Sequence, residues 1–370
     1  MNAFFAPDAT RKSGFRDLKV VAKVRESSII TSFYLEPVEP GGWRDFQPGQ
    51  FLVFRIPVPG EQGFVLRNYS VSCPPAPSGR YRISVKREAA PGPGLADGLG
   101  SCHLHDRIEV GDVLAAEGPR GDFVLDRAST RPVVLLGGGV GLTPLVSMLH
   151  ALVTESDRRV FFVHACDNGD VHALRDEVDR LVAARHGVTA HFCYRFPTAR
   201  DRDVTHFHSE GVISRETLQG LLPLDDYDVY LCGPPPFMQA AYRTLRGLGV
   251  RKERIAYEFF GPATALEPDT AAAPAPPSAR VELPSDAVTV EFRRSGLTAV
   301  WDGKSESLLA FAEEQGLSPD FSCRAGICST CKSRIIEGEV AYFEDPLDEP
   351  GPGEVLLCCS KPARAIVLDI

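Results

Sequence analysis

A chain of 370 residues is too long for one ordinary core and suits two or three units of ~100–150 residues. Its 44% hydrophobic and 24% charged residues are those of a globular protein, and the absence of any apolar run near the ~18 residues of a membrane span excludes a bilayer-spanning chain. A net charge of −9 argues against nucleic acid as a partner, because that binding depends on Lys and Arg neutralising phosphates. The start, Met1-Asn2-Ala3-Phe4-Phe5, carries no basic segment, apolar stretch and cleavage site in succession, so a cytoplasmic location is expected.

From about Phe15 to Asp126 the chain shows short apolar-alternating runs broken by Gly and Pro. Strands are predicted at Leu18–Val24, Ile29–Leu35, Gln50–Ile56, Tyr81–Lys86 and Val113–Glu117, a spacing that indicates an antiparallel barrel or sandwich. From Arg131 apolar runs alternate with helices. Pro132–Leu136 reads as a continuous apolar strand, Pro144–Val153 as a helix and Val160–His164 as a second strand. Val171, Leu174, Val178, Leu181 and Val182 recur at helical spacing, with Gly187 as the stop, and Asp228–Cys232 is expected as the last strand. This alternation predicts a parallel, doubly wound sheet. Ala271-Ala-Ala-Pro-Ala-Pro-Pro277 cannot build a core and marks residues 263–285 as a semi-rigid linker that leaves the last module free to reorient. Beyond it, Thr289–Phe292 and Thr298–Trp301 read as strands and Ser307–Glu314 as a helix.

The ten cysteines fall into two sets. Cys73, Cys102, Cys166, Cys193 and Cys232 are scattered, whereas Cys323, Cys328, Cys331, Cys358 and Cys359 crowd into the last module. Cys323-Arg-Ala-Gly-Ile-Cys328-Ser-Thr-Cys331 followed by Cys358 has the plant-type ferredoxin spacing C-x4-C-x2-C…C, in which four thiolates hold a [2Fe-2S] cluster. Small residues at Ala325, Gly326 and Ser329 suit backbone N–H groups aimed closely at sulfur. Four cysteines also hold Zn²⁺, but zinc modules usually carry two C-x-x-C pairs and here there is one. Paired Cys-x-His ligands of a Rieske site are missing. From Asp286 to Ile370, 15 acidic against 8 basic residues give −7, which suits either a basic partner surface or a solvated acidic face.

Arg67-Asn68-Tyr69-Ser70 has the form Arg-x-Tyr-Ser, and strand alternation puts Arg67 and Tyr69 on one face. A guanidinium can pair a flavin pyrophosphate, the phenol ring can cover an isoalloxazine, and the hydroxyl can reach its N5 edge. On its own the tetrapeptide fits an exposed strand face equally well. Gly137-Gly-Gly-Val-Gly-Leu-Thr-Pro144 lies between a strand and a helix, where glycines permit close backbone approach and the helix N-terminus attracts phosphate. It is not G-x-G-x-x-G, because Leu142 takes the final Gly position. Cys232-Gly-Pro-Pro-Pro-Phe-Met238 follows the apolar run at Asp228, although a lone Cys there also suits buried filler.

In this order the motifs resemble the ferredoxin–NADP reductase superfamily, and specifically the reductase portion of flavohaemoglobins. Ile30-Thr-Ser-Phe-Tyr-Leu-Glu-Pro37, Arg82-Ile-Ser-Val-Lys-Arg87 and Tyr257-Glu-Phe-Phe-Gly-Pro262 support the likeness, which covers about 15–262. With the C-terminal module added, the layout is similar to reductase components of Rieske-type oxygenases. The resemblance implies three folds: an antiparallel Greek-key β-barrel for FAD at 15–127, a doubly wound α/β domain for NAD at 128–262, and a β-grasp α+β ferredoxin domain at 286–370. It further implies that Phe51, Arg67, Asn68, Tyr69 and Ser70 bind FAD, with Phe259, Phe260, Gly261 and Pro262 closing over it. Gly138, Gly139, Val140, Gly141, Leu142 and Thr143 would hold the dinucleotide, Cys232 and Gly233 would face the nicotinamide, and Ser70 and Cys232 would be the catalytic pair. Cys323, Cys328, Cys331 and Cys358 would be the cluster ligands, leaving Cys359 as a packed neighbour. Phe51 stands where flavohaemoglobins usually have Tyr, and Cys102-His-Leu-His105 departs from Asn-Tyr-Leu-His, which leaves the role of that segment, and of His103 and His105, open.

The end of the second nucleotide-domain strand, His164-Ala-Cys-Asp-Asn168, lacks a cation for a 2′-phosphate and carries an acid, so NADH is expected over NADPH. The implied activity is NADH-dependent reduction of FAD and then of the [2Fe-2S] centre, delivering electrons to a Rieske-type non-haem iron oxygenase. The chain is expected to act as a monomer, with no nucleic-acid or membrane partner. Only ~15 residues precede the barrel, so no globin domain and no nitric-oxide dioxygenation are expected within this sequence. The alternatives are a reductase for a hybrid-cluster or haem protein, and a redox-sensing flavin and iron–sulfur module.

Overall fold

The computed structural model describes residues 14–58, 63–75, 79–90, 97–260, 288–301, 303, 305–317, 319–321, 326, 329–344, 346 and 349–370. The proposed linker, together with Gly261, Pro262, Cys323 and Cys328, lies outside the described residues.

The first unit is built from β1 (Arg16–Arg25), β2 (Ile30–Pro37), β3 (Phe51–Pro57), β4 (Phe64–Ser70), β5 (Tyr81–Lys86), the helix α1 (Leu99–Arg107) and β6 (Val113–Arg120). The strands pair in the order β4-β3-β6-β1-β2-β5, each neighbour antiparallel. A bridge from Val71 to Ile83 brings the β4 and β5 edges together, so the sheet closes as a barrel. Leu18, Phe33, Leu35, Leu52, Phe54 and Ile83, all fully buried, fill its interior. Helix α1 was not anticipated. Gly100 argues against a helix, yet a Cβ there would sit 2.8 Å from Arg67 Cγ and 3.2 Å from Ile56 Cδ1, so its absence lets α1 pack closely on β3 and β4.

The second unit comprises β7 (Val133–Gly138), α2 (Leu142–Glu155), β8 (Val160–Cys166), α3 (Arg175–Ala184), β9 (Val188–Tyr194), α4 (Ala199–Val204), β10 (Ser209–Glu210), α5 (Arg215–Leu221), β11 (Asp228–Gly233), α6 (Pro235–Gly247) and β12 (Ile255–Phe259). The parallel order is β10-β9-β8-β7-β11-β12. Strands β7 and β11 are buried at every position, which is why they read as unbroken apolar runs. Two expectations need correction. Asp228–Cys232 is not the last strand, because β12 pairs beyond it. Nor does α3 begin at Val171: Leu174 takes a left-handed backbone (φ 56°), so the helix starts at Arg175, and it ends at Ala184, before Gly187.

The third unit contains β13 (Thr289–Phe292), β14 (Leu297–Val300), α7 (Leu308–Glu314), β15 (Lys332–Glu337), β16 (Val340–Tyr342), β17 (Glu354–Leu356), β18 (Ser360–Pro362) and β19 (Ile366–Leu368). A mixed sheet ordered β14-β13-β19-β15-β17 is covered by α7, whose Leu308, Leu309, Phe311 and Ala312 are buried against it, giving the β-grasp arrangement. Ser307 caps α7 by accepting from the Ala310 amide.

Among the described residues, charged contacts tie the units together. Arg82 of β5 donates two hydrogen bonds to Glu177 of α3 (2.6 and 2.8 Å), and Glu177 also meets His150 Nε2 of α2 at 2.6 Å. Burial alone would raise the Glu177 carboxyl, but the hydrogen bonds from His150 and Arg82 outweigh it and hold it at about 2. Arg120, at the end of β6, pairs with Glu344 of the third unit at 2.8 Å. No helix among the described residues is long and apolar enough to cross a membrane.

Candidate functional site

A cleft of about 960 Å³ opens where the three units meet. In an antiparallel pair, directly opposed residues share a face. Phe51 opposes Ser70 and Val53 opposes Asn68, so Asn68 and Ser70 lie with Phe51 on one side, while Arg67 and Tyr69 lie with Phe54 and Leu52 on the other. Phe51, Arg67, Asn68 and Ser70 line the cleft. The Tyr69 ring packs 5.9 Å from that of Phe54, burial pushes its phenol up, and it is not among the lining residues. The Phe51 ring lies under Gly121, where a Cβ would come within 2.7 Å of it.

Asn68 Oδ1 and Ser70 Oγ are buried without a hydrogen-bond partner. Buried polar atoms are nearly always satisfied, so two orphans two residues apart on a cleft wall mark the place of a polar ligand. Arg67 is exposed, donates to the Leu66 carbonyl at 2.7 Å, and has no ion-pair partner among the described residues, leaving its charge available for a phosphate. This donor set fits a flavin dinucleotide.

The Gly-rich segment leaves β7 through a 3₁₀ turn at Gly139–Gly141 and enters α2 at Leu142. It stands at the switch point, between β8 on one side of β7 and β11 on the other, where doubly wound sheets take ligands. A Cβ at Gly141 would lie 2.3 Å from the Cys232 carbonyl oxygen, and one at Gly138 or Gly233 would lie 2.7 Å from the Phe237 ring. Only glycine permits this approach. The N-terminus of α2 has no side-chain cap, Thr143 Oγ1 donates to the Val140 carbonyl (3.0 Å), and Leu142 is fully buried. The open first turn and its partial positive charge fit a dinucleotide phosphate.

Cys232 is fully buried in the sheet core and does not line the cleft; burial, and then the neighbouring Glu258, push its thiol well up. Glu258, opposite Cys232 in register on β12, does line it. Burial raises this carboxyl to about 8, and its Oε2 has no hydrogen-bond partner. Sequence reasoning quoted Glu258 within a motif without giving it a role; the signal was a single acid in an aromatic segment. Phe259 and Phe260 form the adjoining wall. Asp167, at the end of β8, is ion-paired at 2.7 Å with Arg195, just beyond β9, a cation that inspection of β8 alone could not place there. His105 is held by the Val85 carbonyl (2.8 Å) and Thr31 (3.4 Å), in a structural role.

The third wall belongs to the last module, and Cys358 is part of it. Cys331 and Cys358 are both buried, and the Leu357 amide donates to the Cys331 carbonyl (3.3 Å), which brings their segments together. The Gly326 amide donates to Cys358 Sγ at 3.3 Å, with Gly326 in a left-handed conformation (φ 66°). An N–H aimed at sulfur from a tight loop suits a cluster thiolate. Cys359 turns inward, fully buried, 3.7 Å from the Leu356 carbonyl.

A cleft wall fitted to a flavin, a glycine-rich dinucleotide loop at the switch point of the neighbouring sheet, and a buried thiol on the cleft's third side define a modular electron-transfer oxidoreductase. Family models agree: the oxidoreductase FAD-binding domain matches residues 17–125, the oxidoreductase NAD-binding domain 135–243, and the 2Fe-2S iron-sulfur cluster binding domain 291–363. The flavohemoprotein of Bacillus thuringiensis is 44% identical over 265 residues, covering 70% of this chain and 65% of that one, so the chain spans about two thirds of that curated relative's length. The solved FAD/NAD-binding domain of nitric oxide dioxygenase from Vibrio cholerae matches at 35% identity and TM-score 0.59, over 68% of this chain and 100% of that one. Phthalate dioxygenase reductase shares the fold at 24% identity and TM-score 0.54, over 96% of this chain and 98% of that one. The chain belongs to the ferredoxin–NADP reductase superfamily, as a flavohaemoglobin-type FAD- and NAD-binding reductase followed by a [2Fe-2S] ferredoxin domain.

Proposed function

We propose that this protein oxidises NADH and passes the electrons singly, through FAD and its own [2Fe-2S] centre, to a Rieske-type non-haem iron oxygenase. The observation that supports the reading is that Ser70, Asn68 and Cys358 line one cleft, where a flavin held by the first two would stand close to a cluster held by the third. A bound flavin would supply hydride acceptance and a bound cluster single-electron transfer, chemistry that belongs to the cofactors.

The chain's own residues bind and orient. Arg67 would hold an FAD phosphate, Asn68 and Ser70 would give their orphaned oxygens polar partners on the bound flavin, and Tyr69 and Phe51 would shape the barrel side. Phe259 and Phe260, followed by Gly261 and Pro262, close the other face. Gly138 to Thr143 would receive the dinucleotide phosphates on the first turn of α2, with Gly233 nearest the nicotinamide and the buried Cys232 packed behind it. Cys323, Cys328, Cys331 and Cys358 hold the cluster, and the Gly326 amide steadies the Cys358 sulfur. The domain limits proposed are 15–127, 128–262 and 286–370. The oxygenase partner is supported by the plan shared with phthalate dioxygenase reductase, whose structure is described as serving electron transfer from pyridine nucleotides to [2Fe-2S]. The acidic excess of the last module suits a basic docking face.

Anaerobic NADH titration followed by visible absorption and low-temperature EPR tests the path. Flavin bleaching with a reduced-cluster signal is expected. Bleaching without that signal in iron-replete protein sinks the proposed outlet. NADPH giving the higher kcat/KM would overturn the nucleotide preference, and the partner is tested by the turnover that the protein restores to a purified oxygenase.

A further inference from the structure

Strand β8 ends with His164 and Cys166 two positions apart, hence on the same face, and the chain returns through a 3₁₀ turn at Gly169–Val171 to place His172 beside them. Asn168 fixes that return by accepting from the Asp170 amide at 3.1 Å. The His164 and His172 rings lie 4.6 Å apart, and the side chains are 1% and 6% exposed. One ligand atom from each of His164, Cys166 and His172 falls within 4.8 Å of the other two.

The hydrogen bonds leave one nitrogen of each ring unpartnered. A carbonyl can only accept, so His164 Nε2 is protonated toward Gly139 O (2.9 Å), and its Nδ1 carries a lone pair. His172 Nδ1 meets the Tyr194 hydroxyl at 2.8 Å. His164 Nδ1 and His172 Nε2 are both buried and without a partner. Holding one nitrogen of each imidazole by a backbone carbonyl or a hydroxyl, with the other left unpartnered near a thiol that itself donates only to the Asn168 carbonyl (3.4 Å), is how proteins orient metal ligands.

We propose that His164 Nδ1, His172 Nε2 and Cys166 Sγ form a Zn²⁺ site, with a fourth position left to water. Two imidazoles and one thiolate are a zinc-type donor set, and Zn–N of ~2.0–2.1 Å with Zn–S of ~2.3 Å puts tetrahedral neighbours roughly 3.4–3.6 Å apart. The present spread of up to 4.8 Å therefore contracts by about 1 Å on binding. Coordination releases the Cys166 thiol proton to solvent and leaves the charge on the metal-bound sulfur. The site is separate from the four cysteines of the last module. Through His164 it is joined to Gly139, so a bound zinc also fastens the turn that opens the dinucleotide loop.

The test uses the intact protein, with FAD and iron in place, stripped by a chelator and dialysed against buffered micromolar Zn²⁺. One zinc per chain is expected by elemental analysis, with a K-edge EXAFS shell of one sulfur and nitrogen or oxygen neighbours. Cys166→Ser and His172→Gln are each expected to weaken binding at least tenfold at unchanged FAD and iron content. Should His172→Gln lose its flavin, the partly exposed Cys166 carries the comparison alone. No zinc in the wild type, undiminished zinc in Cys166→Ser, or a shell of several sulfurs would each overturn the site. Because the readout is zinc, the outcome is independent of the electron path proposed above.

Discussion

Replacing Glu177 by Gln removes the charge that joins the barrel to the nucleotide sheet and leaves Arg82 with its guanidinium buried and uncompensated. Both partners are sheltered, with side chains 5% and 14% exposed, so solvent screening is weak. Removing one member of such a pair costs about 3–5 kcal/mol. The carboxyl's descent from its ordinary 4.5 to about 2 gives a second route to the magnitude, about 3 kcal/mol at pH 7 from ~1.36 kcal/mol per unit. The sign is that of a depressed carboxylate: the stability is fully present above pH 4.5 and is lost as pH falls toward 2. Linkage puts the loss at about 1 kcal/mol by pH 4 and about 2 kcal/mol by pH 3. Urea unfolding of wild type and Glu177→Gln, followed by release of flavin fluorescence at several pH values, should show a gap that narrows on acidification. A gap under about 1 kcal/mol at pH 7, or one that is constant with pH, would refute the reasoning.

Serine at Cys331 or Cys358 should abolish the cluster signal in EPR and the iron content while NADH still bleaches the flavin; Cys359→Ser should retain its iron, and loss of iron there would reassign the ligand. Burial raises Glu258 from 4.5 to about 8, so stability should fall from about pH 4.5 and level off above about pH 8, while flavin reduction should decline as pH rises through about 8 and negative charge enters the cleft wall. Stopped-flow reduction of Glu258→Gln should be flat from pH 7 to 9, and a profile matching wild type would exclude the carboxyl. Asp167→Ser frees Arg195 for a 2′-phosphate, and one charge-assisted hydrogen bond of about 1.5–3 kcal/mol should raise the NADPH-to-NADH ratio of kcat/KM by ~10–100-fold. An unchanged ratio places the adenosine end elsewhere.

Much of the fold was legible because burial leaves a local trace. Strands covered on both faces, such as Val133–Gly138, are continuous apolar runs, and half-covered ones such as Arg16–Arg25 alternate. What escaped depended on distant contacts. Helix α1 breaks the propensity rule because Gly100 answers to Arg67, and β12 was missed because an edge strand with Ala256 and Tyr257 exposed has little apolar pattern. Helix α3 was drawn a turn too long because Val171 and Leu174 keep helical spacing while Leu174 has left the helical backbone. The motif residues could be named from spacing, but whether they face the cleft could not. Tyr69 and Cys232 lie off it, whereas Glu258 lies on it. The Asp167–Arg195 pair and the His164, Cys166 and His172 cluster each join residues from separate segments, which no local pattern reports.

The Arg120–Glu344 pair makes the attachment of the last module sensitive to the ionic medium. With Glu344 42% exposed, the pair contributes at most about 1 kcal/mol, a factor of about five in the ratio of attached to released module. A covalently connected module needs no tighter hold, since its return is intramolecular. Such a contact is screened at a Debye length of about 8 Å in physiological salt, so its share of the hold on the last module falls as salt rises.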